Sequence, residues 1–332
     1  MKKHAKKNYL AIWLIIIIVL SFVIGGIFIY SKSSRKNKDS FSMDSQNSSL
    51  HDSSKLDLSS EIDTSSQQDS SSVPDSSSPI KESSSAVESK NDDAIMAYSN
   101  LSYFKDENIN RYIKFKQKNK KLSYEQAIVY VNIGLDRSYY TYTCQAVNYS
   151  SIKALVNKYS YLPSTYAPTD LVTISAQNST RTVSMRKEAA QAFEKMSNDA
   201  RSKGYIIKAH STYRSYEQQK SIYNSYVKQD GQVAADTYSA RPGFSEHQTG
   251  LVADVVASNS TDITDFDKYK ENRYVLENAH KFGFIVRYPV GKENITGYKS
   301  EPWHLRYVGV ETATKIKNLN ITYDEYCAKF GC

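Results

Sequence analysis

Cysteine is scarce in this chain: three among 332 residues, Cys144, Cys327 and Cys332, with no CxxC pair. That count excludes a dense disulfide framework. Cys327 and Cys332 are near enough to close a small loop in an oxidising compartment, and three unpaired thiols are an equal alternative. Helix-turn-helix, RNP-like and zinc-finger patterns are also missing. Basic residues outnumber acidic ones 43 to 35, yet they are scattered rather than gathered into a stripe. No nucleic-acid partner is expected from such a pattern.

Charge is wholly absent from one stretch, YLAIWLIIIIVLSFVIGGIFIY, 22 residues from Tyr9 to Tyr30. As a helix rising about 1.5 Å per residue it is long enough for a hydrocarbon core of roughly 30 Å. No small-x-small cleavage site and no lipobox-like cysteine follow it, which favours a retained single-pass anchor over a signal peptide or lipoprotein. Residues 1–8 then form a basic cytoplasmic tail. Lysines and arginines lie on both flanks, so charge alone does not orient the segment. The next region, 31–93, has little except serine, 24 of 63 residues, and Phe41 is its one aromatic. It cannot bury enough apolar surface to offset its ordering entropy and is expected to be a disordered tether, spanning on the order of 45 Å as a flexible coil.

Ordinary globular composition begins at residue 94. Net charge divides as +4 over residues 1–30, −5 over 31–93 and +9 over the remainder, and a basic domain on a tether suits an anionic surface such as a cell wall. Two accessory helices are predicted within 94–182, Asp106 to Asn119 and Tyr124 to Asn132, the second opened by a capping box of Ser123 and Gln126. Short extended stretches follow. Within 183–332, Met185 to Lys203 reads as an amphipathic helix stopped by Gly204. Strands are expected at Tyr205 to Thr212, Leu251 to Val256, Phe284 to Tyr288 and Trp303 to Val308, separated by helices at Ser215 to Lys228 and Glu271 to Phe282. This alternation predicts an α+β domain with a small, largely antiparallel sheet flanked by helices.

Residues able to do chemistry gather in STYRSYEQQ (211–219), RPGFSEHQTGLVADV (241–255) and EPWHLRYVG (301–309). Asp254 lies inside an apolar strand, where a carboxylate is costly unless paired, hydrogen-bonded or metal-bound. On its own the His247 and Asp254 pair reads equally as structural. Pro302 keeps Glu301 and His304 off a shared helix face, so this is no HExxH site, and both are placed just before a strand. Together His247, Asp254 and His304 supply three metal ligands, with Glu301 as an unliganded base beside them. Arg214 is the candidate for holding a carboxylate or an oxyanion, against the plainer alternative of capping its helix.

YRSYEQQ, RPGFSEHQTGLVADV, NAHKFGFIVRYP, ITGY and EPWHLRYVG, in this order, resemble the VanY-like D-alanyl-D-alanine carboxypeptidases, zinc peptidases related to lysostaphin and hedgehog-type domains. The resemblance is close over 183–310, and FKDENINRYI, VNIGLD and LVNKYSYLP to LVTI resemble the preceding region of Gram-positive members. It implies one zinc ion on His247, Asp254 and His304, Glu301 as catalytic base, and Arg214, Gln219 and Ser245 at the substrate. It implies peptidoglycan stem peptides as partners, and hence a domain outside the membrane, in a Gram-positive wall. D,D-carboxypeptidase action is the leading expectation. L,D-carboxypeptidase action, cross-bridge endopeptidase action and a non-catalytic zinc-containing wall-binding module are the alternatives.

Overall fold

The computed structural model describes residues 93–258 and 260–332. The expected anchor at 9–30 and all but the last residue of the serine-rich tether lie outside them. Among the described residues no helix is long and apolar enough to cross a membrane.

The accessory part begins with α1 (Ile109–Lys118), led in by a single 3-10 turn over Asp106–Asn108, and α2 (Tyr124–Ile133). The capping box is formed: the Ser123 hydroxyl accepts from the Gln126 amide, and the Gln126 side chain accepts from the Ser123 amide. A short ladder, Leu171–Thr173 against Ser184–Arg186, leads into α3 (Lys187–Ser202). Met185 is therefore a strand residue and not the first turn of the helix. Gly204 follows α3 at φ +80°, as a helix-ending glycine does.

Next come β1 (Ile207–Ser211), α4 (Tyr216–Asp230), β2 (Val252–Ala257) and α5 (Lys270–Asn278), then β3 (Phe284–Tyr288) and β4 (Glu301–Tyr307). The strands form one sheet in the order β1-β2-β4-β3, antiparallel throughout. α6 (Val310–Leu319) and α7 (Tyr323–Phe330), absent from the sequence expectations, complete the chain.

β4 starts earlier than expected. Glu301 lies within the strand rather than before it, and His304, inside the expected Trp303 to Val308, is its fourth residue; the ladder with β3 is irregular, since Val286 pairs with Leu305 but Tyr288 pairs with Glu301. That irregularity takes up Pro302, which has no N–H to give to a regular ladder.

Side chains alternate across the strands and so sort onto two faces. Ala209, Ala253, Val255 and Leu305 join Phe193 and Met196 of α3 and Val275 of α5 in the main core. On the opposite face, Ile285 packs with Val308, Ala313, Tyr323 and Tyr326 beneath α6 and α7. Asp254, His304 and Arg306 share that opposite face and are buried. The accessory part is not a separate body, since Val129 and Ile133 of α2 cluster with Ile295. Tyr140 meets the Phe244 ring edge-on and lies 3.3 Å from the Tyr298 hydroxyl. Gly297 lets the neighbouring Tyr139 and Lys158 approach closely: at φ +75°, a Cβ there would lie 2.8 Å from the Tyr139 ring and 3.0 Å from Lys158.

Cys327 and Cys332 form a disulfide across the end of α7, and Cys144 is free and exposed.

Candidate active site

Pairing register brings the first two groups together. Asp254 on β2 stands directly opposite His304 on β4, and Ser211 of β1 is paired with Asp254 on its other side. His247 arrives from a 3-10 turn, Glu246–Thr249, whose cap is Ser245; the Ser245 hydroxyl accepts from the His247 amide at 3.4 Å. The turn ends at Gly250, φ +68°, before the chain enters β2.

His247 Nε2 lies 3.2 Å from Asp254 Oδ2, and His304 Nδ1 lies 3.0 Å from Asp254 Oδ1. All three residues are buried, and one donor atom from each falls within 4.8 Å of the others. Ligand atoms around a tetrahedral ion with bonds of about 2.05 Å sit about 3.3 Å apart. A further sign separates this cluster from an ordinary ion pair. Buried Asp254 Oδ1 has no hydrogen-bond partner despite the nearby imidazole nitrogen. The two atoms converge as ligands do, and the donor set of two imidazoles and a carboxylate suits zinc.

His247 Nδ1 lies 2.5 Å from the Thr212 carbonyl, which leaves Nε2 turned to the cluster. His304 is turned the other way: Nδ1 faces Asp254, and Nε2 lies 3.5 Å from Glu246 Oε2. Burial opposes ionisation of Asp254, but His247 and His304 hold it far below the usual carboxylate range. His304 is likewise disfavoured as a cation by burial, yet its contacts with Asp254 and Glu246 raise it to about 9.

Glu301 opens β4, with Oε2 3.6 Å from His304 Nδ1. Burial, joined by the Asp254 and Glu246 charges and opposed by His304 and Arg214, pushes its carboxyl up to about 7. A bound cation would draw it back down.

Arg214 precedes α4, whose capping box is Ser215 and Gln218. The arginine does not cap that helix. Its Nη1 donates to Gln219 Oε1 at 2.6 Å and its Nη2 to Ser211 Oγ at 3.0 Å. Gln219 is almost wholly enclosed and its Nε2 donates to the Ala240 carbonyl at 2.7 Å. Its Oε1 thus holds Arg214, and its Nε2 ties the side chain to the loop at Ala240.

These residues line one cleft of about 470 Å³, walled further by Ile222, Tyr226, Tyr238, Lys299 and Trp303. Every residue expected at the site reaches it: His247, Asp254, His304, Glu301, Arg214, Gln219 and Ser245. One lining residue, Glu246, went unread. Its only mark in the sequence is an acid set between Ser245 and His247, where surface exposure is the ordinary expectation.

An antiparallel sheet presenting a His, Asp and His cluster with a free carboxylate and a guanidinium in one cleft defines a metallopeptidase-type hydrolase. Residues 182–310 match the family described as VanY: D-alanyl-D-alanine carboxypeptidase. The chain is 43% identical to YodJ of Bacillus subtilis (strain 168) over 188 residues, 55% of this chain and 69% of that protein. It is 39% identical to a D-alanyl-D-alanine carboxypeptidase of Enterococcus faecium over 145 residues, 43% of each chain. A solved structure of the LdcB LD-carboxypeptidase, a protein analysed for its recognition of peptidoglycan, superposes with a TM-score of 0.51 at 40% identity. That match covers 56% of this chain and 90% of the other. The chain belongs to the VanY family of carboxypeptidases, and its His247, Asp254 and His304 can together hold a metal ion.

Proposed function

We propose that this chain removes the C-terminal D-alanine from peptidoglycan stem peptides, acting first on the D,D bond of the pentapeptide, with zinc held by His247, Asp254 and His304. The observation that carries the reading is the convergence of those three buried donors with Glu301 inside a cleft that also contains Arg214. Zinc at such a site acidifies water and polarises a carbonyl. Glu301 takes a proton from the attacking water and returns it to the amine that leaves as the peptide C–N bond breaks. A half-buried guanidinium fixed at both ends by Gln219 and Ser211 has little freedom left to lose on binding. Its remaining donors meet either the substrate's terminal carboxylate or the developing oxyanion. Ser245, whose oxygen caps the turn, keeps its hydroxyl proton to give to the peptide.

A second reading is L,D cleavage of the tetrapeptide, which also releases D-alanine, and the likeness to LdcB supports it. A pure wall-binding module would have no use for an unliganded, partly buried carboxylate at this position. An endopeptidase would not need an arginine set to grip a free C-terminus. By extension, we place the domain outside the cell membrane, anchored through 9–30 and tethered by 31–93, where its basic charge faces the wall.

The test is incubation of the zinc-loaded full-length chain with pentapeptide and tetrapeptide muropeptides, identifying the freed amino acid by mass. D-alanine from the pentapeptide supports the D,D reading, and D-alanine from the tetrapeptide alone supports the L,D reading. Release from neither overturns both. Cleavage undiminished when the terminal carboxylate is amidated would point to endopeptidase action.

A further inference from the structure

Glu246 is buried beside the cluster, and its two oxygens have very different surroundings. Oε1 accepts from Arg287 Nε and from Arg306 Nη1, both at 2.8 Å. Arg287 in turn is clamped by Asp324 of α7, at 2.6 Å and 3.3 Å, and Arg306 donates to the Ile152 and Ala154 carbonyls. The carboxylate is therefore ionised and held in one orientation from behind. Oε2 has no hydrogen-bond partner, and neither does His304 Nε2, which faces it at 3.5 Å.

Both atoms are enclosed, so each is costly to leave unpaired. A neutral imidazole carries one proton. If it sits on Nδ1, it points at Asp254 and the ring cannot bind a metal there, while Nε2 and Glu246 Oε2 face each other as two bare acceptors. If it sits on Nε2, it points at Glu246 and Nδ1 presents its lone pair to the cluster. We propose that Glu246 is a positioning residue: it selects the Nε2–H tautomer of His304, so that Nδ1 is the metal-binding nitrogen, and it strengthens that nitrogen as a ligand. His247 is set in the opposite sense by a carbonyl, the neutral acceptor of Thr212. The two histidines thus use different nitrogens, each assigned by what stands behind it. The inference rests on the metal-ligand reading given above, and goes beyond it by naming what orients one ligand.

Glu246→Gln distinguishes this role from mere space filling. The amide oxygen must stay on the two guanidiniums, which only donate, so the NH2 group turns to His304 Nε2. It then donates to that nitrogen and drives the proton onto Nδ1. The experiment uses the full-length chain, with zinc affinity measured by chelator competition and the His304 tautomer read by nitrogen NMR of histidine-labelled protein. Expected are an Nε2–H ring in the zinc-loaded parent protein, an Nδ1–H ring in the metal-free variant, and zinc bound about 10- to 100-fold more weakly by that variant. Equal zinc affinity and an unchanged tautomer in a folded variant would overturn the proposal. If Glu246→Gln does not fold, the zinc-loaded parent protein still decides: an Nδ1-protonated His304 in it overturns the assignment. Failure of the metal-ligand reading looks different, since the parent protein would then bind no zinc at this site.

Discussion

At the scale of single residues, Glu301 and His247 make separable predictions. Glu301 touches the cluster only through the 3.6 Å approach to His304 and is not among the three converging donors. Glu301→Gln keeps the shape and loses the base, so hydrolysis should fall by about 10²- to 10⁴-fold while bound zinc stays at the parent level. His247→Ala should lose both. Activity assays beside metal analysis check the pair, and full activity in Glu301→Gln would remove it as the base. Lys158 makes a different prediction. Its ammonium donates to the Asp236 carbonyl at 2.5 Å and lies over the Tyr139, Tyr140 and Tyr298 rings at 4.8, 5.4 and 4.3 Å. Burial, opposed by Asp236 and aided by Arg241, pushes it down to about 8. The unfolded chain, with an ordinary lysine near 10.4, holds more protons between those values, so stability should rise with pH from about 8 to 10.4. Below pH 8 the cost of the buried charge is fully present. Thermal melts across this window should show the rise in the parent protein and a flatter profile in Lys158→Met; parallel profiles would mean that the lysine is not depressed.

Among the elements, α7 is the one whose importance is least visible in the sequence. Its cap is a complete box of Thr322 and Glu325, its end is closed by the Cys327–Cys332 disulfide, and Asp324 reaches from its first turn to Arg287 under the sheet. Asp324→Ala would leave Arg287 with Glu246 alone and strip the Asn157 side chain of its acceptor. Breaking a buried pair in this way should cost about 3 to 5 kcal/mol, read as a lower midpoint in urea, whereas a change under about 1 kcal/mol would show that water replaces the carboxylate. The four strands were legible as short apolar runs, and the start of α2 as a Ser-x-x-Gln sequence, because those signals are local. The disulfide was left open, since two cysteines five apart fit a loop or two thiols equally. Placement of Glu301 inside β4 was hidden by Pro302, which has no N–H for a regular ladder and is accommodated by an irregular one. The role of Glu246 was hidden more deeply. Arg287, Arg306 and Asp324 lie 41, 60 and 78 residues away in sequence, and nothing local announces that they meet.

For the molecule as a whole, the metal is expected to act as a structural link as well as a reagent. His247 sits on a turn between α4 and the sheet, while Asp254 and His304 come from the two central strands, so an ion bound by all three ties the turn to the sheet. Without it, the fold keeps a buried carboxylate oxygen with no hydrogen-bond partner. Ligation that occurs only in the folded state stabilises by about 4 kcal/mol when free zinc is 1,000-fold above its dissociation constant. For a domain of this size each kcal/mol corresponds to about 2 to 4 °C. Stripping zinc with a chelator should therefore lower the melting temperature by about 8 to 16 °C, and adding zinc back should restore it. The same experiment on two variants separates ligation from general disruption. Glu301→Gln should show the full zinc-dependent shift, because it removes no ligand. His247→Ala should melt at one temperature whether or not the chelator is present. A parent protein whose melting is indifferent to zinc would count against the three-ligand cluster itself, and a zinc-dependent shift retained in His247→Ala would count against the histidine's place in it.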